Sequence, residues 1–229
     1  MVVRKDGPMT STLIFDYGIA RPNRLMAAFS HLGIDGSVSS NVHDIRLADR
    51  LVIPDGDDSD AALAKGVSRD VVQAFRNHIE AGKPTLAIGL GAMFLLSGNT
   101  HSKMPGGLEV FSAPIQRFDP RMVDENERAL KSPHVGFGFV VGLDRHPILG
   151  ESPRLSAAVS ETGGGAWFYF RHRLCAPARV PFSDVAVCHH GVPFAGAIWK
   201  EKILALQFIP ELSGVMGLHV LHAWSEKSI

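Results

Sequence analysis

An α/β fold, with a parallel helix-covered sheet in its first half and a β-rich second half, is predicted by three observations. Short, wholly apolar runs alternate with amphipathic helical patterns over the first ninety residues. Glycine and proline punctuate each change, and from residue 110 onward strand-like runs follow one another with almost no helix between them. Strands separated by ten-to-fifteen-residue helices imply βαβ units, hence parallel pairing.

Taken in order, Thr12-Leu13-Ile14-Phe15 reads as a buried strand running into the loop Asp16-Tyr17-Gly18. Pro22 suits the first turn of a helix, Leu25, Met26, Phe29 and Leu32 follow at helical spacing, and Gly33 stands at the C-cap. Leu51-Val52-Ile53 is a second buried strand, stopped by Pro54-Asp55-Gly56. Ser68 caps a helix carrying Val71, Val72, Phe75 and Ile79, which Gly82 and Pro84 end. Thr85-Leu86-Ala87-Ile88 makes a third strand. Later strands are expected over 110–118, 135–143, 166–175, 185–188, 194–199 and 203–208, the last two as a hairpin about Lys200-Glu201-Lys202. A closing helix spans 212–224, and Gly163-Gly164-Gly165 reads as a loop. Residues 1–11 read as an extension, with Met9 an alternative start, and 12–229 as a single domain.

Composition narrows function. The 229 residues carry 23 basic and 23 acidic side chains, and this zero net charge argues against nucleic acid or an anionic membrane as partner. With 45% apolar residues the chain can fill a core, and no run approaches the ~18 apolar residues that span a bilayer. The first twelve residues include Arg4 and Lys5 but no apolar run, so a cytoplasmic protein is expected. Two cysteines make neither a disulfide framework nor a four-cysteine zinc site; they leave room for one catalytic thiol.

The segment 85–96 is a buried strand, a Gly-rich tight turn and an apolar helical stretch, the layout of a nucleophile elbow. Its tip is Gly89, which has no side chain. Further motifs follow: Asp16-Tyr17-Gly18, Leu51 to Gly56, Ala81-Gly82-Lys83-Pro84, Pro133-His134-Val135-Gly136-Phe137, Phe168 to His172, and Gln207-Phe208-Ile209-Pro210-Glu211 before Ser213-Gly214. In that order the motifs resemble those of the class I glutamine amidotransferases, and among them the glutaminase subunits of imidazole glycerol phosphate synthase. The resemblance runs from Leu13 to Trp224 and implies a flavodoxin-like three-layer sandwich around a mostly parallel sheet.

The resemblance also implies a cysteine–histidine–glutamate triad at positions occupied here by Gly89, Ile209 and Glu211. A glycine cannot attack an amide and an isoleucine cannot accept its proton, so no glutaminase activity is expected. Asp55, Gly56 and Leu90 fall at the oxyanion loop, with Asp57, Asp58 and Asp60 beside them in a loop read as solvated. Met93, His172 and Arg173 fall at a relict substrate pocket that a small molecule could still use. The family's glutaminase docks on a (β/α)8-barrel cyclase, which places Arg21, within the loop 19–23, and His134, Gly136 and Phe137 at a partner interface. The expected role is a non-hydrolytic binding or regulatory subunit. A histidine-biosynthetic complex member, or an enzyme of other chemistry around Glu211, His172 or His134, stays open.

No cofactor or metal is expected. Cys175 and Cys188 read as small buried hydrophobes, with a Cys188 pairing to His189 or His190 as the alternative. His219 and His222 lie three apart on the last helix without a third ligand, and the aspartates at 55–60 do not match a calcium-loop spacing. Glu211 reads as a carboxylate opening the last helix.

Overall fold

The computed structural model of the chain describes residues 11–59, 62, 67–98, 107–124, 126–162 and 164–226. The alternative start at Met9, Asp60 and Gly163 lie outside the described residues. Nine strands form the main sheet: β1 (Thr12–Phe15), β2 (Ser37–Ser39), β3 (Arg50–Ile53), β4 (Thr85–Ile88), β5 (His134–Val141), β6 (Gly165–His172), β7 (Asp184–His190), β8 (Val192–Lys200) and β9 (Ile203–Leu206). Their spatial order is β2-β1-β3-β4-β9-β8-β7-β5-β6. The first five pair in parallel and the remainder antiparallel, so the change of character read at residue 110 is a change of strand direction within one sheet.

Among the described residues six helices with full bounds accompany the sheet: α1 (Pro22–Leu32), α2 (Val42–Leu47), α3 (Arg69–Glu80), α4 (Leu90–Met93), α5 (Pro153–Glu161) and α6 (Gly214–Glu226). Two of them have the predicted caps. Gly33 closes α1 in the left-handed conformation, and the Ser68 hydroxyl accepts the Val71 N–H at the start of α3. The elements missed from sequence, β2, α2 and α5, are short and lack a sustained apolar period. The run 110–118 forms only two short strands, Phe111–Pro114 and Gln116–Arg117. The closing helix starts two residues later than read, after a 3-10 turn at Pro210–Leu212.

Alternation along the strands divides the core. Leu13, Phe15, Leu51, Ile53 and Ala87 face α2 and α3, meeting Ile45, Val71 and Phe75. Ile14, Val52, Leu86 and Ile88 face α1 and α6, meeting Leu25, Phe29, Val220, Leu221 and Trp224. The last helix is also fastened electrostatically: buried Arg50, on β3, donates to the carbonyls of Trp224 (2.9 Å) and Ser225 (2.6 Å) and lies 5.6 Å from the Trp224 ring. The guanidinium thus satisfies carbonyls that helix C-termini leave without partners.

The chain runs from β1 outward to β2 and then returns to the other side of β1 as β3, so the strand order reverses there. Crevices outside the carboxyl ends of strands at such a reversal are the usual ligand sites of open α/β sheets. The loops after β1 and β3 meet at this point. Among the described residues no helix is long and apolar enough to cross a membrane.

Trp224→Ala is expected to lower unfolding stability by about 3–5 kcal/mol, because the ring is fully buried between α6 and the sheet. A change below about 1 kcal/mol in urea unfolding would contradict that packing.

Candidate functional site

Four chain segments build the site, at the carboxyl ends of β1, β3, β4 and β9. The loops after β1 and β3 are laced together: Ala20 bridges Gly56, the Arg21 N–H donates to the Asp55 carbonyl (2.7 Å) and the Asp57 N–H to the Ile19 carbonyl (2.8 Å). The buried Tyr17 hydroxyl donates to the Pro54 carbonyl at 2.8 Å. Burial, reinforced by the neighbouring Asp55 and Asp16 charges, raises the Tyr17 pKa well above its usual value, so the hydroxyl stays a donor.

After β4 the chain doubles back at Gly89, with φ 55° and ψ −117°. A residue bearing a Cβ would pay of order 1–3 kcal/mol there, so the elbow predicted from sequence is present and relaxed by its glycine. Gly91 is equally constrained by space: a Cβ would collide with the Ile53 carbonyl oxygen and lie 2.7 Å from that of Pro54. The apolar helical stretch expected after the elbow is one turn, α4, and the chain then enters the two-residue strand Leu96–Ser97. So short a helix has little dipole to offer an anion.

The anion at the elbow comes from the chain itself. Asp55 is 4% exposed, which corrects its placement in a solvated loop. Its Oδ1 accepts the Leu90 N–H at 3.1 Å, the amide that follows the elbow tip. A Cβ built on Gly89 would strike this oxygen and lie 2.8 Å from the carboxyl carbon. The other oxygen pairs with Arg171 at 2.8 Å and lies 4.0 Å from Arg21. Burial raises the Asp55 pKa, while the Leu90 N–H and Arg171 oppose the rise. The carboxylate therefore stands where an elbow side chain would project, and it uses the donor such a side chain's intermediate would need.

On one side of Asp55 the space is closed. Met93 is buried, and Arg173 is held over Asp58 by its backbone N–H (3.1 Å) and by its guanidinium, which reaches both the Asp58 carboxylate and its carbonyl. What remains is a void of about 10 Å³ bounded by Asp55, Leu90, Met93, Arg171, His172 and Gln207. The expected relict pocket at Met93, His172 and Arg173 is thus filled by its own side chains. On the other side an open cleft of about 550 Å³ is lined by Asp16, Arg21, Arg24, Asp55, Arg171, Ile209 and Glu211. Ile209 and Glu211 therefore meet Asp55 across the elbow, as the motif order predicts.

Glu211 does not open the last helix. It lies in the preceding 3-10 turn, with Oε2 buried and without a hydrogen-bond partner. Burial pushes its pKa up to about 7, against the pull of Arg171 and Arg24.

His134 is corrected too. The sequence places it at the partner surface, but even-numbered positions of β5 face inward, and its ring is stacked on His190 with centroids 4.1 Å apart. His134 Nδ1 lies 3.1 Å from His172 Nε2, and His172 Nδ1 bonds the Leu174 carbonyl at 2.9 Å. Burial lowers the pKa of His134 to about 4 and of His172 to about 3, so both are neutral in the fold. This imidazole cluster, joining residues from three strands, has no local sequence signal. Outward-facing Phe137 does lie on the surface, 56% exposed, beside Gly136 and near Trp167, 55% exposed. Arg21 is exposed and 3.7 Å from Asp57.

Both cysteines are buried and free, and burial pushes each thiol up to about 12, the opposite of what a nucleophilic thiol requires. His222 Nδ1 lies 3.4 Å from Glu226. Among the described residues no group of three or more histidine, cysteine or acidic side chains is arranged to hold a metal.

The fold and the strand–elbow–turn geometry are those of a class I glutamine amidotransferase domain. Solved structures of this fold include a protein from Thermoplasma acidophilum named for a GMP synthase component (TM-score 0.64, 16% identity, covering 95% of this chain and 94% of that one). A glutamine amidotransferase from Thermotoga maritima is also similar (TM-score 0.59, 12% identity, 95% and 83%). In sequence, the chain is 32% identical over 215 residues to the imidazole glycerol phosphate synthase subunit HisH of Methanothermobacter thermautotrophicus, covering 93% of this chain and 96% of the relative. It is 30% identical over 218 residues to the HisH protein of Deinococcus radiodurans (91% and 90%). The chain belongs to the HisH family of glutamine amidotransferase subunits. No family model matches it.

The folded chain holds the Glu211 proton to about pH 7, whereas the ordinary value for an exposed glutamate is 4.5. Folding stability therefore falls as pH rises between those values, by about 1.4 kcal/mol per pH unit, and the deficit is complete once pH exceeds the folded-state value. Glu211→Gln is expected to raise the unfolding midpoint relative to wild type at about pH 8 and not at about pH 4. Equal effects at both pH values would show that Glu211 titrates normally.

Proposed function

We propose that the chain is a non-hydrolytic member of the HisH family, a binding or regulatory subunit that works with a synthase- or cyclase-type protein, with residues 12–229 as its single domain. The observation that carries this reading is the Asp55 carboxylate against Gly89. It fills the place of an elbow side chain, takes the Leu90 amide and is held there by Arg171. Chemistry at the elbow would need a nucleophile, a base and a free donor for the oxyanion. Position 89 has no side chain, Ile209 titrates nothing and the Leu90 donor is occupied. In this reading Gly89, Ile209 and Glu211 are vestigial triad positions, and the absence of a nucleophile at 89 and a base at 209 removes on the order of 10⁴–10⁶ in turnover.

Partner binding is favoured by the outer face of the antiparallel β5–β6 pair. Val135, Phe137 and Trp167 are each more than half exposed, Phe137 contacts Tyr169 and Phe139 contacts Trp167. Contiguous exposed aromatics of this kind mark interaction surfaces. Relatives bearing the name of a synthase subunit make the corresponding cyclase-type subunit the first partner to test.

Two outcomes are expected. Purified protein incubated with glutamine, alone or with the synthase's other subunit, releases no glutamate, and Gly89→Cys leaves this unchanged because Ile209 supplies no base for the thiol. Glutamate release by wild type that Glu211→Ala abolishes would overturn the reading. Separately, co-elution with the cyclase-type subunit in size-exclusion chromatography is expected to weaken at least tenfold in Phe137→Asp. Unaltered co-elution would remove the β5–β6 pair from the interface.

A further inference from the structure

The open cleft beside Asp55 has a use that the lost elbow chemistry does not explain. Arg21, Arg24 and Arg171 all line its 550 Å³. Two of them are engaged loosely or in part. Arg171 gives one nitrogen to Asp55, and Arg21 reaches the Gly56 carbonyl at 3.3 Å with its carboxylate neighbours no closer than 3.7 Å. Arg24, on the first turn of α1, makes no hydrogen bond or ion pair among the described residues. A guanidinium carries five N–H donors in a rigid fork, so most of the donors around this cleft have no acceptor among the described residues. The acidic groups facing the same space are Asp16, Asp55 and Glu211. Asp16 accepts the Gly18 N–H at 2.9 Å, and Asp55 is already held by Leu90 and Arg171. Glu211 is partly buried, and its Oε2 is buried without a hydrogen-bond partner among the described residues.

We infer that this cleft binds a small oxyanion, a carboxylate- or phosphate-bearing metabolite, with Arg24 as its free anchor and Arg21 and Arg171 beside it. The chemistry is that by which the same arginines hold Asp55: a planar fork matches a carboxylate or phosphate with two parallel bonds. The volume is in the range of small-molecule sites. Glu211 on the cleft wall couples binding to protons. An anion beside it disfavours its charged form, so binding near neutral pH takes up a proton there. The site is independent of whether the chain hydrolyses glutamine, and its test is a binding measurement rather than an assay of glutamate release.

The test is isothermal titration calorimetry of the full chain with inorganic phosphate and, separately, with malonate. It is run at about pH 7.5 in two buffers of different ionisation enthalpy. One or both anions are expected to bind, and the tighter of the two assigns the chemistry as phosphate or carboxylate. Arg24→Ala, an exposed change that leaves the core untouched, is expected to weaken binding at least tenfold, and Arg24→Glu to abolish it. With malonate, which is fully ionised at this pH, wild type is expected to take up protons on binding and Glu211→Gln to bind without uptake. Absence of binding by both anions, binding unchanged in Arg24→Ala, or proton uptake that persists in Glu211→Gln would each overturn the inference.

Discussion

The carboxylate of Asp55 sits where three parts of the chain meet, and the arrangement around it depends on how it is held. One oxygen takes the Leu90 amide at the end of β4, and the other takes Arg171 from the antiparallel half of the sheet. Its own backbone carbonyl receives the Arg21 amide from the loop after β1. A buried carboxylate without such partners is costly, because desolvation disfavours its charge more than distant charges can repay. The same bonds that satisfy Asp55 therefore fix the elbow, the two crossing loops and β6 relative to one another. Arg171 on Asp55, with Arg173 on Asp58 beside it, carries this order across the sheet from its parallel to its antiparallel part.

Much of the fold is legible in the sequence because its signals are local. The runs 12–15, 51–53 and 85–88 are short and apolar throughout, as strands covered on both faces must be, and the caps at Gly33 and Ser68 end or begin helices by backbone chemistry alone. The elbow is legible for the same reason, since only a glycine-rich turn allows the chain to reverse there. What is not legible depends on distance. Asp55 lies in a loop rich in aspartate, and nothing near it in sequence says that this one, and not Asp57, turns inward to meet Gly89 and Arg171. His134 lies on a strand whose two phenylalanines, Phe137 and Phe139, share the outward face with Val135 and Val141, so apolar alternation alone points to the wrong side as the buried one. Its partners His172 and His190 come from other strands.

The fold of the HisH family persists in this chain at around 30% identity, with a glycine at the tip of its elbow. The physical reason is that the packing and the elbow's reacting groups use separate residues. Ile14, Val52, Leu86 and Ile88 cover one face of the sheet and Leu13, Phe15 and Leu51 the other, and none depends on what stands at position 89. A glycine at that turn removes a strained conformation, so the scaffold gives up nothing by carrying it.

The bond between Arg50 and the end of α6 has a consequence for the order in which the molecule can be completed. Strand β3 leaves the ribosome early, yet the helix that covers it and supplies the carbonyls for its arginine is the last element described. Translation separates the two by on the order of ten seconds. During that interval Val52 and Leu86 lack the α6 part of their cover, and a chain stalled before residue 214 would present an apolar sheet face to whatever binds nascent chains.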